Sequence, residues 1–253
     1  MRCLIFLLCS VACSLFAETM TVASFNIRSF RGMDGKRNVF RTIDAIGKLN
    51  SDICGLQEVR LLNGEKVSPL VRAGEKLNMQ SFFGKTLNRK DFEYGNGVLS
   101  RFRVEQMTNL VLPMLGNQEP RGVMILKVRT PRGKTFYFVN THLSDKLNNG
   151  ELRKIQLGFI MDHLRRNKLF PAVITGDFNA LPASPVLVVL GGNCTLVGSV
   201  QPTFPARRPR AKIDYIAFAP KDAFEVISYK VVDEPEASDH RPVVTVLKFR
   251  SDR

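Results

Sequence analysis

Apolar residues along this chain gather in short β-branched and aromatic runs, each bounded by polar or turn-forming residues. These runs read as strands at 21–27, 52–57, 97–100, 122–128, 135–141, 172–175, 213–219 and 243–249. In two stretches the period changes to that of a helix. Over 37–49, Val39, Phe40, Ile43, Ile46 and Leu49 fall on one face; over 151–164, Leu152, Ile155, Phe159, Ile160 and Leu164 do the same. Thr130-Pro131-Arg132-Gly133 marks a hairpin, whereas other strands are separated by helical patterns. The mixture predicts a mixed sheet or two packed sheets with helices outside, and argues against a simple doubly wound parallel sheet.

No linker, repeat or low-complexity tract divides residues 18–253, so a single domain with one large core is expected over that span of the 253-residue chain. Residues 1–17 have another character: Arg2, an apolar run of about ten residues, then small residues around Ser14 and Ala17. They read as a secretory signal removed after Ser14 or Ala17, which places the mature protein outside the cell or in the cell envelope. Cys13, after Ser10-Val11-Ala12, loosely resembles a lipoprotein box and offers a lipid-anchored alternative. Cys54 lies in an apolar run and reads as a small buried hydrophobe rather than a disulfide partner.

The formal charge is +14, and Arg2 is the sole charged residue before Ala17. Such a field favours anionic partners: nucleic acid, anionic membrane surfaces or phosphorylated solutes. Trp is absent and few aromatics interleave with the cations, so a stacking platform for single strands is not evident. No obligate protein partner is implied, and a monomer is expected.

Polar clusters stand where the apolar runs stop: Asn26 after Phe25, Gln57-Glu58 after Leu56, Asn140-Thr141-His142 after Val139, and Asp177-Phe178-Asn179 after Gly176. Near the C-terminus comes Asp239-His240. Strand ends converge at one edge of a core, where ligands commonly bind. Amide and carboxylate oxygens suit Mg²⁺ or Mn²⁺, and no Cys/His spacing suggests zinc. An imidazole can move a proton near neutral pH, and a guanidinium suits a phosphate. Taken singly, each residue has a plainer reading: a strand-end turn for Asn26, an Asx turn for Asp177, an ion pair with Glu119 for Arg121.

Taken in order, Ser24-Phe25-Asn26, Leu56-Gln57-Glu58-Val59, Glu119-Pro120-Arg121-Gly122, Asn140-Thr141-His142-Leu143, Gly176-Asp177-Phe178-Asn179-Ala180, Ile213-Asp214-Tyr215-Ile216 and Ser238-Asp239-His240-Arg241-Pro242 resemble the endonuclease/exonuclease/phosphatase superfamily. The resemblance spans nearly all of 18–253. It implies an α/β four-layer sandwich, two packed mixed sheets with helices on the outer faces, and metal-dependent hydrolysis of phosphate esters. It further implies Glu58 as principal metal ligand with Asn26 and Asp239 beside the same Mg²⁺ or Mn²⁺. Asp177 and Asn179 would orient water or phosphate, His240 would contact the phosphate with Asp214 behind it, His142 would be a second imidazole, and Arg121 would neutralise a phosphate oxygen. Glu93 is a candidate to orient His142, and Asn96 to face the site.

The ester itself is less legible. Gln57-Glu58-Val59-Arg60 is similar to the pancreatic deoxyribonuclease pattern, in which the arginine approaches the nucleic-acid backbone. Asn140-Thr141-His142-Leu143 departs from the abasic-site endonucleases and looks like sphingomyelinases. The run Arg207-Arg208-Pro209-Arg210-Ala211-Lys212 is expected to hold cations, Arg210 and Lys212 among them, at the site's rim. A nuclease of low sequence specificity leads. A phosphodiesterase or phosphatase on lipid headgroups or small molecules follows, with Val111-Leu112-Pro113-Met114-Leu115 the nearest apolar lipid-facing element, and an inactive binding module is the third reading.

Overall fold

The computed structural model describes residues 18–146 and 150–250. The expected signal segment 1–17 and Cys13 lie outside the described residues. Two six-stranded mixed sheets face each other. Along the chain the first sheet uses β1 (Thr19–Asn26), β2 (Ile53–Leu62), β3 (Gln80–Asn88), β4 (Phe92–Ser100), β11 (Phe224–Val231) and β12 (Val243–Phe249). The second uses β5 (Arg103–Val111), β6 (Gly122–Arg129), β7 (Thr135–His142), β8 (Ala172–Asp177), β9 (Thr195–Leu196) and β10 (Asp214–Ala219). Their spatial orders are β11-β12-β1-β2-β4-β3 and β5-β6-β7-β8-β10-β9. β1 runs parallel to β2 and β7 parallel to β8; the other neighbours are antiparallel.

Alternation along the strands builds the layers. Val22, Ile53, Val98, Leu126, Phe136, Phe138, Val173, Phe218 and Leu247 fill the space between the sheets. The opposite face of the first sheet buries Phe25, Cys54 and Leu56 under α1 (Val39–Lys48) and α2 (Pro69–Leu77). The opposite face of the second buries Val139, Ile174 and Tyr215 under α3 (Gly150–Arg166) and the short α4 (Pro185–Val188). This is the four-layer α/β sandwich. Cys54 is fully buried in an apolar layer, which pushes its thiol up to about 12, as a small hydrophobe should behave.

The helices start where capping chemistry allows. Asn38 accepts from the Arg41 amide at the head of α1, and Ser68 caps α2 with Pro69 at its first position. Two helical faces differ from those the sequence suggests. Phe40 is 55% exposed, beneath Arg72 and Lys76. Ile155 is 48% exposed and Phe159 also lies outward, because Leu157, Ile160, Met161 and Leu164, spaced i, i+3, i+4, i+7, form the buried stripe of α3.

Candidate active site

Asn26 at the end of β1 and His142 and Asp177 at the ends of β7 and β8 meet at one rim of the sandwich. Asp214 joins them because antiparallel β10 begins there; Asp177 is the register partner of both His142 and Asp214. The two sheets approach closely beneath this rim. A Cβ at Gly55 would stand 2.5 Å from Thr175 Oγ1 and 2.6 Å from Asn140 Oδ1, so glycine is required there.

Glu58 reaches the rim in a way the sequence does not suggest. β2 does not stop at Gln57 but runs on to Leu62, and its pairing with β4 slips between Leu56 and Val59. Glu58 occupies this bulge with φ of +58°. A bulge re-aims one side chain without ending the strand, and backbone strain of this kind is common where a chain must present a functional group. Asn179 (φ +49°) is held likewise by an Asx turn, its amide donating to Asp177 Oδ1 at 2.9 Å.

Two carboxylates converge on the side chain of Asn26. Asn26 donates from Nδ2 to both Glu58 Oε1 (3.1 Å) and Asp177 Oδ2 (3.0 Å). Burial raises the Glu58 carboxyl above its ordinary range, and burial also lifts Asp177, to about 7, with His240 opposing the rise. Asp239 is bound by Arg28, Nε to Oδ2 at 3.2 Å. Carboxylates gathered in this way offer the hard oxygen donors that suit a divalent cation, Glu58 and Asp239 among them. Asn26, expected beside that ion, turns Oδ1 to the Arg28 amide at 3.0 Å. Arg28, Ser29 and Phe30 all have positive φ, and this tight turn needs that acceptor.

His240 directs Nδ1 at Asp214, 3.1 and 3.0 Å from its two oxygens, and Nε2 toward Asp177 Oδ2 at 3.6 Å. Burial alone would depress the imidazole, but Asp214 and Asp177 outweigh it and hold it at about 10. Asp177, Asp214 and His240 are close enough to enclose a metal. Asp214 on Nδ1 favours the charged imidazole, and in that form the trio holds a proton rather than offering Nε2 as a ligand. Phe204 covers the ring of His240 at 4.9 Å between centroids.

His142 has different neighbours. Arg121 Nη1 lies 3.2 Å from Nδ1; Asn179 Nδ2 lies 3.0 Å and Asp177 Oδ2 3.5 Å from Nε2. Burial first, then Arg121 and His240, drive this imidazole well below its ordinary value. Arg121 is 5% exposed and bonds Glu119 (2.7 Å) and Asp145 (3.2 Å), with the Tyr94 hydroxyl nearby. Arg121 is thus already committed to carboxylates, contrary to the expectation of a guanidinium open to phosphate.

The other expected cations divide. Lys212, predicted at the rim, is buried: its ammonium donates to Tyr229 Oη (2.7 Å) and the Asp214 carbonyl (3.2 Å), and burial brings it down to about 8. It is a structural cation between Tyr215 and Tyr229, because the residue two before Asp214 faces inward. Arg60 lies over the Phe92 ring at 4.3 Å, and Arg210 is exposed on the loop that carries Phe204. Glu93 pairs with Lys85 (2.7 Å) and not with His142; Asn96 donates to the Gly122 carbonyl behind Arg121 (2.9 Å). Sequence reasoning missed Arg28 and Tyr94, neither of which stands in a polar cluster at a strand end.

A family model described as the Endonuclease/Exonuclease/phosphatase family matches residues 23–240. The chain belongs to this family. It is 26% identical over 219 residues to the uncharacterized protein YbhP of Escherichia coli K12, covering 79% of this chain and 84% of that one. An endonuclease/exonuclease/phosphatase structure from Beutenbergia cavernae superposes with TM-score 0.78 at 24% identity, covering 91% of this chain and 72% of the other. A Bacteroides thetaiotaomicron mannosyl-6-phosphatase superposes with TM-score 0.72 at 21% identity, covering 91% of this chain and all of the other. The family membership makes this chain a phosphoester hydrolase.

Proposed function

We propose that this protein is an exported, divalent-metal-dependent phosphodiesterase that cleaves nucleic-acid backbones with little sequence preference. The observation that supports this reading best is the loop 204–211. Phe204 packs on His240, while Arg208 and Arg210 remain exposed, and among the described residues neither forms an ion pair. Cations beside a phosphate site, on a chain of charge +14, suit backbone-directed binding of a polyanion. Export rests on the apolar segment before Ala17.

In this reading the Asp177 carboxylate takes the proton of the attacking water as the new P–O bond forms. The charged His240, steadied by Asp214, neutralises a nonbridging oxygen while the P–O bond to the leaving group breaks and the departing oxygen takes a proton from solvent water. Asn26 keeps Glu58 and Asp177 apart, and Asn179 fixes the direction of Asp177. Glu58 and Asp239 would hold a divalent ion, which when bound would add charge neutralisation at the phosphate.

A second reading, action on small phosphate esters, is favoured by one observation: Arg121 and Lys212, expected to meet substrate, are already bound internally. The fold shared with a mannosyl-6-phosphatase agrees with it. The deciding experiment offers duplex DNA, RNA, sphingomyelin, phosphoinositides, sugar phosphates and a generic diester with Mg²⁺, Mn²⁺ or EDTA. EDTA-sensitive nicking of DNA is expected; intact DNA together with turnover of a small ester would transfer the reading to the second class.

A further inference from the structure

The two imidazoles of this site have partners of opposite charge. His240 has a carboxylate on Nδ1, and His142 has a guanidinium. A guanidinium offers five N–H donors and accepts nothing. Arg121 Nη1 has two hydrogens, and Glu119 Oε1 at 2.7 Å takes one; the other faces His142 Nδ1 at 3.2 Å. That contact is attractive only if Nδ1 presents its lone pair. On the far side Asn179 Nδ2 also approaches as an N–H group, at 3.0 Å from Nε2. A neutral imidazole has a single lone pair and can accept from one neighbour. The charged donor is the stronger, and Asn179 retains the Leu143 carbonyl at 3.2 Å for its amide. An imidazolium would set N–H against N–H on both sides.

We propose that Arg121 is a positioning residue that fixes His142 as the neutral tautomer protonated on Nε2, so that His142 faces the site only as a hydrogen-bond donor and cannot exchange roles with His240. The groups facing His142 agree from each side. Arg121, backed by Glu119, Asp145 and Tyr94, closes the Nδ1 side. Asp177 Oδ2, 3.5 Å from Nε2, is the acceptor the proton would face, and charged His240 lies across the same carboxylate. Burial and both cations oppose a charge on His142. The site then has one charged imidazole and one neutral donor. The donor's use toward phosphate rests on the hydrolase reading; the tautomer does not.

The test reads tautomers directly. The chain has three histidines, so imidazole ¹⁵N spectra of the whole protein can be assigned with His142→Asn and His163→Gln variants. Expected is a bare Nδ1 and a protonated Nε2 at His142, unchanged between about pH 6 and 8, the window in which a free imidazole titrates. Arg121→Met should let the Nδ1-protonated tautomer appear, since burial still opposes the charged ring, whereas Arg121→Lys, still a pure donor, should preserve the wild-type tautomer. On a cleaved ester, Arg121→Met should lower kcat by about tenfold to hundredfold with KM within about threefold. Wild-type His142 protonated on Nδ1 or charged at pH 7 would overturn the proposal, as would an unaltered tautomer in Arg121→Met. A KM rise without a kcat change would return Arg121 to direct substrate contact. Should Arg121→Met fail to fold, the wild-type spectrum and Arg121→Lys decide alone. A correct tautomer in a protein that hydrolyses no phosphate ester would remove the functional reading and leave this one.

Discussion

Gln57 donates from Nε2 to Asn140 Oδ1 at 2.6 Å, and this bond joins a strand of one sheet to a strand of the other directly beneath the site. Asn140 completes its valences with the Leu56 and Gly97 carbonyls, each at 2.9 Å, and with Thr175 Oγ1 at 3.3 Å. Replacing it with alanine takes the side-chain donor from two carbonyls and one of two acceptors from the Gln57 amide, which keeps Ser24 Oγ at 3.1 Å. Unpaired buried groups cost about 1–3 kcal/mol each, so Asn140→Ala should lose roughly 3 kcal/mol or more of unfolding free energy in urea. A loss below about 1 kcal/mol would mean that water or a repacked neighbour replaces the amide.

The pairing of His240 with Asp214 links stability to pH. The folded-state pKa of His240, about 10, exceeds the ordinary 6.5. The folded protein therefore holds a proton that the unfolded chain releases. This stabilisation is complete below about pH 6.5 and is lost as pH rises toward 10. Asp214→Asn should remove it. Measured in EDTA, the wild-type advantage over Asp214→Asn should be roughly a few kcal/mol at pH 6 and shrink markedly by pH 10. An advantage that grows with pH would contradict a raised pKa.

Asn26, His142 and Asp177 were legible because each ends an apolar run, and runs such as 135–141 and 172–175 have to be strands if they are to be buried. Arg121, Asp214, Asp239 and His240 stand ahead of strands or open them, and were legible through the ordered motifs. What escaped was the periphery. β3, β5, β9 and β11, all absent from the sequence reading, are the four edge strands of the two sheets. An edge strand faces solvent along much of its length, so β5 and β11 carry mostly polar or half-exposed residues and lose the apolar signal. α2 was hidden for a related reason: Pro69, Gly74 and a polar outer face interrupt a stripe of only Leu70 and Ala73. The bulge at Glu58 and the inward turn of Lys212 depend on pairing partners far away in sequence. The Arg121–Glu119 pair was foreseen as an ion pair, but its third partner, His142, was not.

Glu58 should separate metal binding from folding. Among the described residues its half-buried carboxyl has no full-charge partner at hydrogen-bond distance, with the Asn26 amide as its contact. Glu58→Gln keeps the size and can still hydrogen-bond Asn26, so thermal stability in EDTA should hold or rise slightly. Added Mn²⁺ should raise the wild-type melting temperature by mass action and leave that of Glu58→Gln nearly unmoved. Ester hydrolysis should fall by about a hundredfold or more if the ion supplies the charge neutralisation described above. Equal Mn²⁺ responses in the two proteins would take Glu58 off the metal.

Arg208 and Arg210 should carry the polyanion dependence. Each exposed cation that meets a DNA phosphate releases counterions, and removing one such contact makes the salt slope shallower by about one unit. Arg208→Ala with Arg210→Ala should therefore raise KM for duplex DNA several-fold at low salt. The slope of log kcat/KM against log salt should lose up to about two units. The buried dyad of His240 and Asp214 is untouched by these substitutions, so its pH-dependent stability should persist in the double variant. An unchanged salt slope with full DNA cleavage would place the nucleic acid on another face. A protein that never cleaves DNA but hydrolyses a sugar phosphate at the wild-type rate in both forms would assign the loop to solubility rather than to substrate.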